Sequence, residues 1–390
     1  MRIPGGRRLG TVLALGTAQT LAWGSTYYLP AILAAPMARA YGVSSDWVFG
    51  AFSASLLLSA LVGPMAGRRI DRSGGRDVLT VSSLTFAIGL ASMAASDSFA
   101  MLAAGWLLVG LGMGMGLYEA AFAALAAIYR ENARSAITGI TLLAGFASTI
   151  CWPISAYLDA EIGWRATCYV WAAAHLLLGL PLNRLSIPKV TAREAPAAHA
   201  AVEAEGSLLN RPMLLMAVSF AITWFVSTAM AAHLPALLEQ AGASRTMAIT
   251  AAALVGPAQV AARILEFTLL QRIHPLLSAR IASMTHPVGA LAFLGFGVPA
   301  AYFFALLHGA GNGVMTIAKG TLPLVIFGPG GYGRRQGFLA MPSRVTQAIA
   351  PFAFAVLVER YGEYALVASS ALCLISFAAM LSLRANRHGG

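Results

Sequence analysis

The chain has 390 residues, of which 58% are hydrophobic and only 11% charged, and its formal net charge is +11. So few charges cannot cover the water-facing surface of a soluble protein this long, where about a quarter of residues are usually charged. The basic residues recur as short groups between apolar runs rather than as one patch, which argues against a nucleic-acid partner and for the bilayer as solvent.

The predicted spans, in chain order, fall at 9–34, 47–67, 78–96, 100–128, 136–158, 166–186, 212–238, 247–270, 281–297, 299–327, 338–358 and 364–383. A span uses about 20 residues, so a dozen with short loops fits the length. Arg2, Arg7 and Arg8 precede a first run too long for a signal peptide and without a clear cleavage site, so that run is read as span 1. The abundant Gly and Ala suit closely packed membrane helices. Cys151, Cys168 and Cys373 lie in apolar runs without metal-ligand spacing and are expected as buried helix residues.

Lysine and arginine placement sets the topology. With the N-terminus in the cytoplasm, twenty of the 26 basic residues fall in cytoplasmic segments and four, Arg39, Arg165, Arg245 and Arg360, outside. Arg263 and Lys319 lie inside spans. This asymmetry predicts cytoplasmic termini and an even number of spans.

The stretch 187–211, with Pro188, Pro196, Glu194, Glu203, Glu205 and Gly206, reads as a cytoplasmic linker between six-span bundles at 1–186 and 212–390. The halves resemble one another. Trp23, Ser25-Thr26 and Leu29-Pro30 of span 1 have counterparts in Trp224, Ser227-Thr228 and Leu234-Pro235 of span 7. Gly110, Gly112 and Gly114 recur as Gly309, Gly311 and Gly313, and Gly139 and Pro153 as Gly337 and Pro351. A nearly constant offset indicates duplication, and repeat-built transporters place their binding site near the midplane between the repeats.

Between spans 2 and 3 the chain reads Gly67-Arg68-Arg69-Ile70-Asp71-Arg72-Ser73-Gly74-Gly75-Arg76-Asp77-Val78-Leu79. Its glycines permit a tight turn between two helices, and Asp71 is placed to cap a helix or pair with arginine. The segment resembles the signature loop of the major facilitator superfamily at Gly67, Asp71, Arg72, Gly74, Arg76 and Leu79. It departs at Arg69, where an apolar residue is usual, and at Gly75, where a basic one is. Gly163-Trp164-Arg165 before span 6 is a second echo. The resemblance implies an all-α membrane protein of twelve spans in two pseudo-symmetric bundles, working by alternating access. It also implies that the motif forms a cytoplasmic gate against span 11. Trp106 stands where many proton-coupled members carry an arginine, four residues before Gly110, so that route to coupling is absent. The glycine-proline motif of span 5 is degraded around Pro153, which weakens an antiport assignment.

Ionisable residues within a bilayer usually face a cavity or a partner. Glu119, Arg263, Glu266 and Lys319 fit that description, with Gln259 one turn before Arg263 on the same face. Arg263 and Glu266 are spaced to pair, and Glu119 and Lys319 occupy nearly repeat-equivalent positions. The alternative is a set of static salt bridges. Tyr27 and Tyr28 are expected at the cavity or facing lipid, His233 and His308 as side chains that satisfy backbone carbonyls, and Gly256-Pro257 as a hinge in span 8.

The segments Ala18–Pro30 and Gly309-Ala310-Gly311-Asn312-Gly313 running into Lys319-Gly320-Thr321 are similar to the bacterial arsenite-efflux branch of the superfamily. That likeness implies proton-coupled efflux of a small toxic or metabolic solute, trivalent arsenic among them, by a monomer in a bacterial inner membrane. Arg263 and Lys319 instead suit organic-anion uptake. A non-transporting sensor would usually append a soluble signalling domain, and no apolar-poor stretch here provides one. No Walker loop or catalytic constellation is present, so the chain is read as a transporter, not an enzyme, without a cofactor and driven by the proton gradient.

Overall fold

The computed structural model describes residues 5–188, 208–269 and 273–383, with side chains from Arg8 onward. Most of the expected linker, together with Arg2, Lys189, Arg193, Arg272, Arg384 and Arg387, lies outside the described residues. Every regular element among the described residues is helical.

Span 1 comprises α1 (Gly5–Ala22), a π-turn (Trp23–Tyr27) and α2 (Pro30–Tyr41). Spans 2 and 3 are α3 (Ser45–Ser73) and α4 (Gly75–Ala94). Span 4 is divided into α5 (Phe99–Gly116) and α6 (Tyr118–Tyr129). Span 5 begins with α7 (Ala133–Ala144) and continues in α8 (Ala147–Ala174), which is broken at Gly163. There φ is +79°, a value glycine adopts without penalty. Span 6 follows that break and ends, after a second π-turn (His175–Gly179), in α9 (Leu180–Ser186).

One helix serves each later span. These are α10 (Arg211–Gln240), α11 (Arg245–Thr268), α12 (Pro275–Phe296), α13 (Ala301–Phe327), α14 (Tyr332–Tyr361) and α15 (Ala365–Ser382). Six spans in each half make twelve among the described residues. Leu177, Phe296 and Leu291 are each more than 70% exposed, as suits side chains that face hydrocarbon.

The duplication is built into the packing of each half. A Cβ on Gly110 of α5 would meet the Ser55 carbonyl, and one on Gly309 of α13 the Val255 carbonyl. Gly114 faces the Ser59 carbonyl as Gly313 faces that of Gln259, and Gly112 faces Phe86 as Gly311 faces Thr285. Each pair recurs 199 or 200 residues later. Small residues let backbones approach closely where lipid supplies no hydrophobic drive between helices.

The chain forms two compact units. One comprises Met1–Gly206 and Phe327–Met341, the other Ser207–Ile326 and Pro342–Gly390. The first turns of α14 therefore belong with the N-terminal spans, and the change occurs at Pro342.

Three local expectations are corrected. The signature segment is not a loop, because α3 runs through Ser73 and α4 starts at Gly75, leaving Gly74 as the turn. Gly74 has φ +79°, which permits this one-residue reversal. Span 11 begins at Tyr332, so Arg334, Arg335 and Arg344 lie within a helix. Pro257 is contained in a continuous α11.

Candidate functional site

In the first unit, two backbone irregularities sit side by side. The Tyr28 amide reaches back five residues to the Trp23 carbonyl at 3.0 Å, which widens the helix into the π-turn. Such turns recur at functional sites. Span 4 breaks at Leu117, whose ψ of −169° is extended. Gln19 Nε2 donates to the Gly116 carbonyl at the break, at 2.7 Å. The Trp23 and Tyr118 rings meet across the two spans at 4.8 Å.

Glu119 is half-buried in the first turn of α6. Interrupted spans are where transporters hold substrates and ions. Tyr27 and Tyr28 are also half-buried. Their rings lie 5.1 and 6.0 Å from Trp23. Trp152 donates from Nε1 to the Tyr28 carbonyl at 3.0 Å, fastening span 5 to the irregular stretch. Trp106 is fully buried against Phe52, at 5.5 Å between ring centroids.

The signature residues gather at the end of α3. Asp71 accepts hydrogen bonds from the Gly333 and Arg334 amides, both at 2.7 Å. These are first-turn donors of α14 that lack helical partners, and a carboxylate is their strongest cap. Gly67 makes the approach possible, since a Cβ there would lie 2.0 Å from the Gly333 carbonyl oxygen. Gly75 is also explained, because a side chain would strike Ala124 of α6. Arg72 is exposed and Arg76 half-buried.

In the second unit a polar row runs along α13. Asn312, Thr316 and Lys319 share one helical face. Asn312 donates to Ser227 Oγ at 2.6 Å. Arg263 makes long contacts to Thr316 Oγ1 (3.4 Å) and Gln259 Oε1 (3.5 Å). Lys319 Nζ lies 5.1 Å from the centroid of the Trp224 ring. Arg263, Glu266 and Lys319 are each about 95% buried. Gln259, Arg263 and Lys319 are thus assembled around α13.

Arg344, expected among the cytoplasmic loop residues, is buried in α14 and donates to Gln347 at 3.2 Å. The signal was present, because Arg344 falls inside the apolar run 338–358. His233 contacts the Pro351 carbonyl at 2.7 Å as expected. His308 instead meets His286, Nδ1 to Nδ1 at 3.0 Å, and His286 reaches Ser369 at 2.9 Å. The three cysteines are buried and free, with Cys151 packed under Gly24 of the π-turn.

The family model described as Major Facilitator Superfamily matches residues 15–318. The chain belongs to the Major Facilitator Superfamily. Among solved structures, this facilitator is similar to the human organic anion transporter MFSD10 (TETRAN). The two share 19% identity and a TM-score of 0.72, over 97% of this chain and 100% of that one. The proton:xylose symporter XylE matches at 12% identity and TM-score 0.76, over 98% of this chain and 96% of the other. FucP in the outward conformation matches at 13% identity and TM-score 0.74, over 94% and 97%. At these identities the likeness is one of fold. No curated protein matches the sequence. This facilitator is a multi-pass membrane transporter of small solutes rather than an enzyme.

Proposed function

We propose that this facilitator exports a small toxic or metabolic solute in exchange for protons. In this reading it works as a monomer in a bacterial inner membrane, with both termini in the cytoplasm. The observation that carries the reading is Glu119 in the first turn of a half-helix, beside the π-turn of span 1. A carboxylate at an interruption near the midplane can take up a proton or a solute group in turn. Asp71 supplies the cytoplasmic gate, since its two hydrogen bonds to α14 are broken and remade without unfolding either helix. Proteoliposomes test the reading: Glu119→Gln abolishes solute-driven proton movement while the protein stays folded. Trivalent arsenic belongs in the solute panel because of the sequence likeness to the arsenite branch.

Organic-anion uptake is favoured by a different observation, the Arg263–Thr316–Lys319 row with Asn312 beside it. Two buried cations on adjoining helices, against the buried Glu266 beside them, leave an excess of positive charge that suits a carboxylate. Carboxylate uptake that rises with external acidity and is lost in Lys319→Ala would establish that reading in place of export.

A further inference from the structure

The geometry points to a solute that carries a planar ring, recognised by an aromatic wall in the first unit. This inference rests on the transporter reading and names the class of substrate for that site.

The wall comes from four separate elements. Trp23 is its centre, with ring centroids of Tyr27 at 5.1 Å, Tyr28 at 6.0 Å and Tyr118 at 4.8 Å. Tyr27 continues to Phe52 of α3 at 5.6 Å, and Phe52 to Trp106 of α5 at 5.5 Å. Trp23, Trp106 and Tyr118 are buried and form the backing. Tyr27, Tyr28 and Phe52 are half-buried and form its accessible side.

The π-turn orients this arrangement. Gly24 is pressed by Cys151 of α8, and Ser25 Oγ contacts His175 Nε2 at 2.8 Å, so those two positions face spans 5 and 6. Trp23 and Tyr27, four residues apart, share the face toward spans 2 and 4. Aliphatic side chains would fill a lipid-embedded core equally well. Tyrosines bring hydroxyls that are costly in hydrocarbon and suit a place apolar on one side and wet on the other. Half-buried rings with polar edges, beside an interrupted span, fit a flat organic solute that stacks edge-to-face or offset. A small inorganic oxyacid has no surface that such a wall would select.

Thermal-shift titration of the purified full-length protein tests this. The probes are phenethylamine and phenylacetate, their ring-free counterparts ethylamine and acetate, and arsenite. At least one ring compound is expected to raise the melting temperature saturably, and the ring-free compounds and arsenite are not. Tyr27→Leu should weaken that affinity about fivefold or more, whereas Tyr27→Phe, which keeps the ring, should retain it. Phe52→Leu provides a second reading should Tyr27→Leu fail to fold. Absence of ring-compound binding at millimolar concentration, equal binding of arsenite, or unchanged affinity in both leucine variants would overturn the inference. Flux of the same compounds separates the two claims. Ring binding without flux counts against transport alone, and arsenite flux without ring binding counts against the aromatic wall alone.

Discussion

Gln19 donates to the Gly116 carbonyl at 2.7 Å and joins the two interrupted spans of the first unit. The Gly116 carbonyl accepts this bond at the end of α5, where Leu117 turns extended, so the group orphaned by the break is satisfied from span 1. Breaks of this kind survive in a membrane only when protein groups replace the lost helical bonds.

Removing that donor is therefore costly. Gln19→Leu leaves a buried carbonyl without its partner, a loss of about 1–3 kcal/mol. A lowered melting temperature in detergent is expected, and an unchanged one would show that the break is held by other contacts.

Asp71 caps two amides of α14, and its substitution tests the gate. Asp71→Ala removes a cap worth about 0.5–2 kcal/mol, so the ratio of latched to unlatched molecules should fall by about two- to thirtyfold. A cysteine introduced at Ala340, buried in the segment of α14 that belongs to the first unit, should then react faster with a water-soluble maleimide. Equal labelling rates would show that Asp71 does not hold the gate.

Glycines near the gate separate backbone approach from mere smallness. Gly67→Ala places a methyl 2.0 Å from the Gly333 oxygen, and Gly337→Ala one 2.5 Å from Pro64 Cα. Both should reproduce the Asp71→Ala labelling, because neither neighbour is a flexible side chain. Gly63→Ala, with nothing nearer than 3.9 Å, should label as wild type.

The repeat makes its own prediction. Gly110→Ala and Gly309→Ala meet backbone at 2.4 and 2.5 Å, and each should destabilise its unit by about 1–3 kcal/mol. Gly295→Ala has open space around it, and an alanine there, near the end of α12, gains at most the helix preference of about 0.5–1 kcal/mol. Melting curves of the three variants would decide the matter, and a fall for Gly295→Ala as large as the others would refute the packing account.

Much of this was legible in the residues. Apolar run lengths located the spans, and the Gly110/Gly309 series marked duplication because helix packing in lipid demands small residues at fixed places. The partner of the signature segment in span 11 came from the family resemblance rather than from the residues themselves, and Asp71 does meet α14. The π-turn was not legible, since Trp23-Gly24-Ser25-Thr26-Tyr27 contains no proline and an inserted residue leaves hydrophobicity unchanged. Neither was the break at Leu117, which lies in an unbroken apolar run. His308 read as a lone histidine because its partner, His286, sits on another span, and only tertiary packing brings them to 3.0 Å. The burial of Arg344 was not legible because counting rules place arginines in loops, whereas burial depends on which helix face a residue occupies.

The account turns on Glu119 as the group that couples solute to proton movement. The most direct measurement is solute-driven proton flux in proteoliposomes loaded with a pH-sensitive dye, comparing wild type with Glu119→Gln across ring compounds, carboxylates and arsenite. The account predicts that at least one solute drives protons in wild type and none does in the variant, with both proteins equally folded. Solute movement without proton flux in wild type, or undiminished flux in Glu119→Gln, would contradict it.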